Sequence, residues 1–148
     1  MAKADLMPGN GATPMPETVL LVEDEALIAF EAESLLHDLG VRDVTMCANY
    51  DQAEREVSGL NGEQLPLAIF DINLNGRLST PLIERYADMG GRVVIATGYE
   101  LEESFVDRLG AVHLVKPYDL RRLGRAIVEA QSRAQPEGGA RARPNDAD

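Results

Sequence analysis

Four short apolar runs in this chain each lead into a residue able to do chemistry. Residues 18–22 run into Glu23 and Asp24, 67–70 into Asp71, 92–96 into Thr97, and 112–115 into Lys116 and Pro117. Such groups make a site only if the fold gathers them. Once gathered, three carboxylates repel one another unless a cation joins them. A hard divalent ion with oxygen ligands meets that need, and Mg²⁺ suits a site that keeps several waters. Lysine is scarce: Lys3 and Lys116 stand against 12 arginines, which sets Lys116 apart.

The elements that must position these groups alternate between strand and helix. Thr18-Val19-Leu20-Leu21-Val22 is a continuous β-rich run, as in a strand buried on both faces. Residues 25–39 place Ile28, Ala32, Leu35 and Leu39 at helical spacing, with Gly40 as the stop. A more polar strand over 41–47 is expected nearer an edge. Asn49 can cap a helix over 50–58, and 59–66 is loop. The third strand, 67–70, ends at Asp71, and 72–78 has turn chemistry around Asn75-Gly76. Ser79 or Thr80 can cap the next helix, with Pro81 in its first turn. Strands follow at 92–96 and 112–115, with a weakly patterned segment, 100–109, between them that reads at best as a poor helix. A last helix, 119–134, carries Leu120, Leu123, Ile127 and Ala130 on one face. No internal repeat is visible. Five strands alternating with helices predict an α/β fold, a doubly wound five-stranded parallel sheet flanked by helices with right-handed crossovers. Ligands of such sheets bind outside the carboxyl ends of the strands, where the reactive residues fall.

At 148 residues the chain is one domain's worth. The pattern predicts a disordered leader over 1–16, a domain over 17–134 and a disordered tail over 135–148, since both ends are rich in Pro and Gly without apolar period. Residues 1–118 hold 8 basic and 20 acidic residues, a net of −12. Such a body repels phosphate backbones and anionic membranes, so no nucleic-acid or membrane partner is expected. No stretch approaches the roughly 20 apolar residues of a membrane span. A single Cys47 and no visible secretory signal point to a reducing, cytoplasmic location.

The motifs Val22-Glu23-Asp24-Glu25, Phe70-Asp71-Ile72-Asn73-Leu74-Asn75-Gly76, Ala96-Thr97-Gly98 and Val115-Lys116-Pro117, in this order, resemble those of a response-regulator receiver domain, the phospho-accepting half of a two-component pair. The resemblance spans about residues 18–133 and implies the flavodoxin-like receiver fold. Asp71 would be the phosphorylated residue. Asp24, Asp71 and the main-chain carbonyl of Asn73 would bind Mg²⁺, with Glu23 acting through a water. Thr97 would hydrogen-bond one phosphoryl oxygen and Lys116 would pair with another. The donor would be a sensor histidine kinase or a phosphotransfer protein. Ile95-Ala96-Thr97-Gly98-Tyr99 further resembles a stand-alone subgroup marked by Phe-Ala-Thr-Gly-Tyr. That likeness implies an HWE-type kinase and a fourth helix that is loose or absent. Only a short polar tail follows the last helix, so output is expected through protein contact by a monomer or weak dimer without an attached output domain.

The sequence departs from that pattern at three places. Glu23 stands where most receivers have Asp, Asn75 where many have Pro, and His113 where a Tyr or Phe commonly reports phosphorylation. Tyr99 and Tyr118 are alternative reporters. Two other functions fit parts of the pattern. A phosphatase of the haloacid-dehalogenase kind also uses an Asp nucleophile with Mg²⁺, but wants a second Asp where this chain has Asn73. A pseudo-receiver would keep the fold without the chemistry, which the set Asp24, Asp71, Thr97 and Lys116 argues against. The expectation is a signalling protein, not an enzyme beyond its own phosphorylation and slow dephosphorylation. His37, Cys47 and the stripe Arg121, Arg122 and Arg125 read as surface, structural and solvated residues.

Overall fold

The computed structural model describes residues 14–61 and 65–133, so the expected tail and residues 1–13 of the expected leader lie outside the described residues. Elements follow in the order β1 (Thr18–Val22), α1 (Ala26–Leu39), β2 (Asp43–Cys47), α2 (Tyr50–Ser58), β3 (Leu67–Asp71), β4 (Asn73–Leu74), β5 (Arg77–Leu78), α3 (Thr80–Asp88), β6 (Val93–Thr97), α4 (Glu103–Leu109), β7 (Val112–Val115) and α5 (Leu120–Ser132). Five strands form one parallel sheet in the order β2-β1-β3-β6-β7, as the alternating pattern predicts.

Alternation along the inner strands explains their unbroken apolar runs. Leu20, Val22, Ala68, Phe70 and Ile95 face a core shared with α2, α3 and α4, through Ala53, Val57, Leu82, Ile83, Tyr86, Val106 and Leu109. Val19, Leu21, Ile69, Val94 and Ala96 face the opposite core, filled by Ala32, Leu36 and Leu39 of α1 and Leu123, Ile127 and Ala130 of α5. A strand apolar on both faces cannot sit anywhere but between two helix layers. Gly91 belongs to this packing, because a β-carbon there would collide with the buried Tyr86 ring. β2 is half exposed, as its polar composition predicts for an edge.

Because the chain runs from β1 outward to β2 and then crosses back to β3, the strand order reverses between β1 and β3. The loops after these two strands part there and leave a crevice at the carboxyl rim. Glu23-Asp24 and Asp71 flank it.

The structure sharpens two local expectations and corrects one, the Ser79 cap. The turn expected at Asn75-Gly76 is present and closes a short hairpin, β4 and β5. Asn75 and Gly76 both take positive φ, 54° and 86°, the combination a two-residue turn needs to match strand twist. Ser79 occupies the cap position of α3 but makes no side-chain cap bond. Its hydroxyl is spent instead on the Asp71 and Ile72 carbonyls. The segment 100–109 contains a definite two-turn helix, α4, closed by Gly110 at φ 67°. Its apolar content is small, but Val106 and Leu109 suffice to seat it. The caps at Asn49 and Asp119 hold as expected of such residues, accepting from the amides of Gln52 and Arg122.

Candidate functional site

Each functional group sits where a strand stops. Glu23 follows β1, and its amide donates to the Cys47 carbonyl at 3.0 Å, extending the ladder by one rung. Asp71 is the last residue of β3, paired with Ala96 of β6, so Thr97 stands one step further out on the neighbouring strand. Lys116 follows β7, and its amide donates to the Thr97 carbonyl at 2.9 Å. Its peptide bond to Pro117 is cis.

Glu23, Asp24 and Asp71 each offer a carboxylate oxygen within 4.8 Å of the others. Each also has an oxygen held by a backbone amide. Glu25 N–H donates to Glu23 Oε2 at 3.1 Å, Asn75 N–H to Asp24 Oδ2 at 3.0 Å, and Asn73 N–H to Asp71 Oδ1 at 3.4 Å. Lys116 takes the other oxygens of two of them, with Nζ 2.7 Å from Glu23 Oε1 and 2.9 Å from Asp71 Oδ2. Glu23 and Thr97 are buried, at 5% and 1% exposure.

Burial pushes the Glu23 carboxyl above the usual range, although the Lys116 and Glu25 hydrogen bonds pull it back and the Asp71 charge adds to the rise. Burial would push Lys116 down, but its hydrogen bonds to Glu23 and Asp71 outweigh that, and the ammonium is raised and stays charged. Tyr118 is pushed up to about 12, by burial first and then by the Glu23 charge. Cys47, beside the rim, is pushed up to about 11 by burial.

The donor set fits a hard divalent cation. Three carboxylates against one ammonium leave two negative charges on one rim, and the clustered donors are carboxylate oxygens. The hairpin starts beside them, with the Asn73 amide on Asp71 Oδ1. Ile72 and Ser79 form a bonded rung, Ser79 N–H reaching the Ile72 carbonyl at 2.7 Å. Asn73 pairs with Leu78 on the next rung, and since rungs alternate, its carbonyl points out of the ladder.

All the residues read as functional from sequence, Glu23, Asp24, Asp71, Asn73, Thr97 and Lys116, therefore meet at one rim. Their mutual pairing was less visible. Lys116 pairs with Asp71, and the Glu23–Lys116 ion pair stands beside that contact as one the motifs did not show. Ser79 and the Asn75 amide were missed as parts of the site. The only signal for them was the turn chemistry of Asn75-Gly76. His113, at the expected reporter position, is half-buried with Nε2 unpaired among the described residues.

No protein-family model matches the chain, and no curated protein does. Solved structures do. SdrG from Sphingomonas melonis Fr1 is 31% identical, with 77% of this chain and 95% of that one covered and a TM-score of 0.63. A CheY-like response regulator receiver domain protein from Methanospirillum hungatei JF-1 is 24% identical, over 80% and 98% of the two chains, with a TM-score of 0.64. A response regulator protein from Burkholderia pseudomallei, solved with a phosphorylated aspartic acid, a calcium ion and citrate, is 21% identical over 78% and 69%, with a TM-score of 0.66. With this fold and these motifs, the chain belongs to the response-regulator receiver family.

Proposed function

We propose that Asp71 accepts a phosphoryl group from the phosphohistidine of a sensor kinase or phosphotransfer protein, and that the protein signals by protein contact. Lys116 Nζ at 2.9 Å from the Asp71 carboxylate, inside the acidic rim, is the observation that carries this reading. One Asp71 oxygen forms the new O–P bond as the N–P bond of the donor breaks, and the leaving imidazole recovers a proton. In such a transfer negative charge spreads over the equatorial phosphoryl oxygens, so positioning and fixed positive charge supply most of the acceleration. Lys116 supplies one such charge. Glu23 keeps the ammonium at the rim when its bond to Asp71 is exchanged for one to phosphoryl oxygen. Thr97 offers a hydroxyl to a second oxygen. Asp24, Asp71 and the Asn73 carbonyl would hold Mg²⁺ directly, with Glu23 reaching it through a water. When bound, the ion neutralises the charge developing on the transferred group.

The Ile95-Ala96-Thr97-Gly98-Tyr99 segment at the end of β6 supports an HWE-type kinase as donor. Incubation with acetyl phosphate and Mg²⁺, followed by intact mass, tests the core of the reading. A stable adduct of one phosphoryl group that is lost in Asp71→Asn is expected. Turnover without adduct would mark a phosphatase, and no reaction a pseudo-receiver.

A further inference from the structure

Ser79 breaks a local rule beside the acceptor. As the N-cap of α3 its hydroxyl oxygen would ordinarily accept from a first-turn amide, which stabilises a helix by about 1 kcal/mol. It does not. The hydroxyl donates instead to the Asp71 carbonyl at 2.6 Å, with the Ile72 carbonyl also in reach at 3.1 Å, while the Ser79 amide bonds Ile72 at 2.7 Å. The residue is fully buried, at 0% exposure, beside the buried Asp71 and Ile72. Local preferences yield in this way where a site demands it.

The consequence runs along the backbone. Asp71 is where β3 stops, and the direction in which the chain leaves it decides where the carboxylate and the next carbonyls point. Two other anchors hold the hairpin farther out. The Asn75 amide is on Asp24, and Arg77 pairs with Asp51 at 3.2 Å and stacks 3.7 Å from the centre of the Tyr50 ring. Among the described residues, only Ser79 brings a side-chain donor to the acceptor's own main-chain carbonyl.

We infer that Ser79 is a positioning residue for the acceptor. Its hydroxyl fixes the Asp71–Ile72 backbone so that the Asp71 carboxylate and the Asn73 carbonyl converge on the same cation. The inference rests on the reading of Asp71 as acceptor and adds a requirement for a group that touches neither metal nor phosphoryl.

The test measures Mg²⁺ affinity from amide NMR shifts, without phosphodonor, and the Mg²⁺ dependence of labelling by acetyl phosphate, in wild type, Ser79→Ala and Ser79→Thr. Groups that orient metal ligands typically change affinity by about 10–100-fold when removed. Ser79→Ala should stay folded and need about tenfold more Mg²⁺ by both readouts, and Ser79→Thr, which keeps the hydroxyl, should restore the wild-type value. Wild-type Mg²⁺ dependence in Ser79→Ala overturns the inference. If Ser79→Ala does not fold, Ser79→Gly replaces it, removing the hydroxyl without adding bulk, and wild-type Mg²⁺ dependence there overturns the inference. A wild type that binds Mg²⁺ but takes no phosphoryl group overturns the acceptor reading instead, and the NMR affinities still decide the role of Ser79.

Discussion

Lys116 holds two carboxylates that would otherwise face each other across a partly buried rim, and this makes its loss asymmetric. Removing one partner of a buried pair leaves an uncompensated charge, at a cost of about 3–5 kcal/mol when the site is dry. The Lys116 side chain is partly open, so the cost here falls toward the lower end of that range. Lys116→Ala should therefore melt well below wild type in EDTA. Saturating Mg²⁺ should close much of the gap, because the ion supplies charge to the same oxygens. Phosphorylation should still occur, while the spectral change that follows it in wild type is lost. Melting curves in both conditions check the first part. An equal gap with and without Mg²⁺ would mean that lysine and cation do not share the carboxylates. These residues were legible in the sequence because each stands directly after a buried strand, and a parallel sheet brings such positions to one rim. What was not legible depends on reach. Whether a Glu arm crosses to a lysine 93 positions away, or a serine caps forward or bonds backward, is decided by approaches of a few tenths of an ångström that no spacing encodes.

Elements were readable in proportion to how much each one buries. Strands β1, β3 and β6 are apolar on both faces, and their runs are unmistakable. The hairpin β4–β5 is only two residues a side, so its ladder is invisible to periodicity and only Asn75-Gly76 marks the turn. Helix α4 lies between these cases. It has two turns and two buried side chains, Val106 and Leu109, against exposed Glu102, Glu103 and Asp107. A helix this short is marginal on its own and depends on its seat for stability. Segments with so few buried contacts open at low free energy. Residues 98–110 should accordingly exchange amide protons early in the resting protein. Thr97 is directly joined to this segment through Gly98, so a hydrogen bond drawing Thr97 toward a phosphoryl oxygen should pull it into order. Amide exchange with and without beryllofluoride measures this directly. Strong and equal protection in both states would send the signal out by another route.

At the scale of the whole molecule, charge is the dominant unbalanced quantity. The chain carries −11, and at one rim three carboxylates meet one ammonium. The fold tolerates that concentration because backbone amides orient each carboxylate and Lys116 binds two of them, yet two negative charges remain. A cation that binds there stabilises the native state by mass action, by about 2.7 kcal/mol at 100 times its dissociation constant. Mg²⁺ also screens the general repulsion of an acidic protein, an effect any salt shares. The two contributions separate by design. Thermal melts in Mg²⁺ should be compared with melts in NaCl of matched ionic strength, for wild type and for the double variant Asp24→Asn, Asp71→Asn. Screening should raise both proteins alike in either salt. The site-specific part should appear as an extra rise in wild type with Mg²⁺ alone. The double variant should lose that extra rise and should melt higher than wild type in EDTA, because two repelling charges are gone. A Mg²⁺ increment of the same size in both proteins would assign it to the acidic surface at large and remove the cation from the rim.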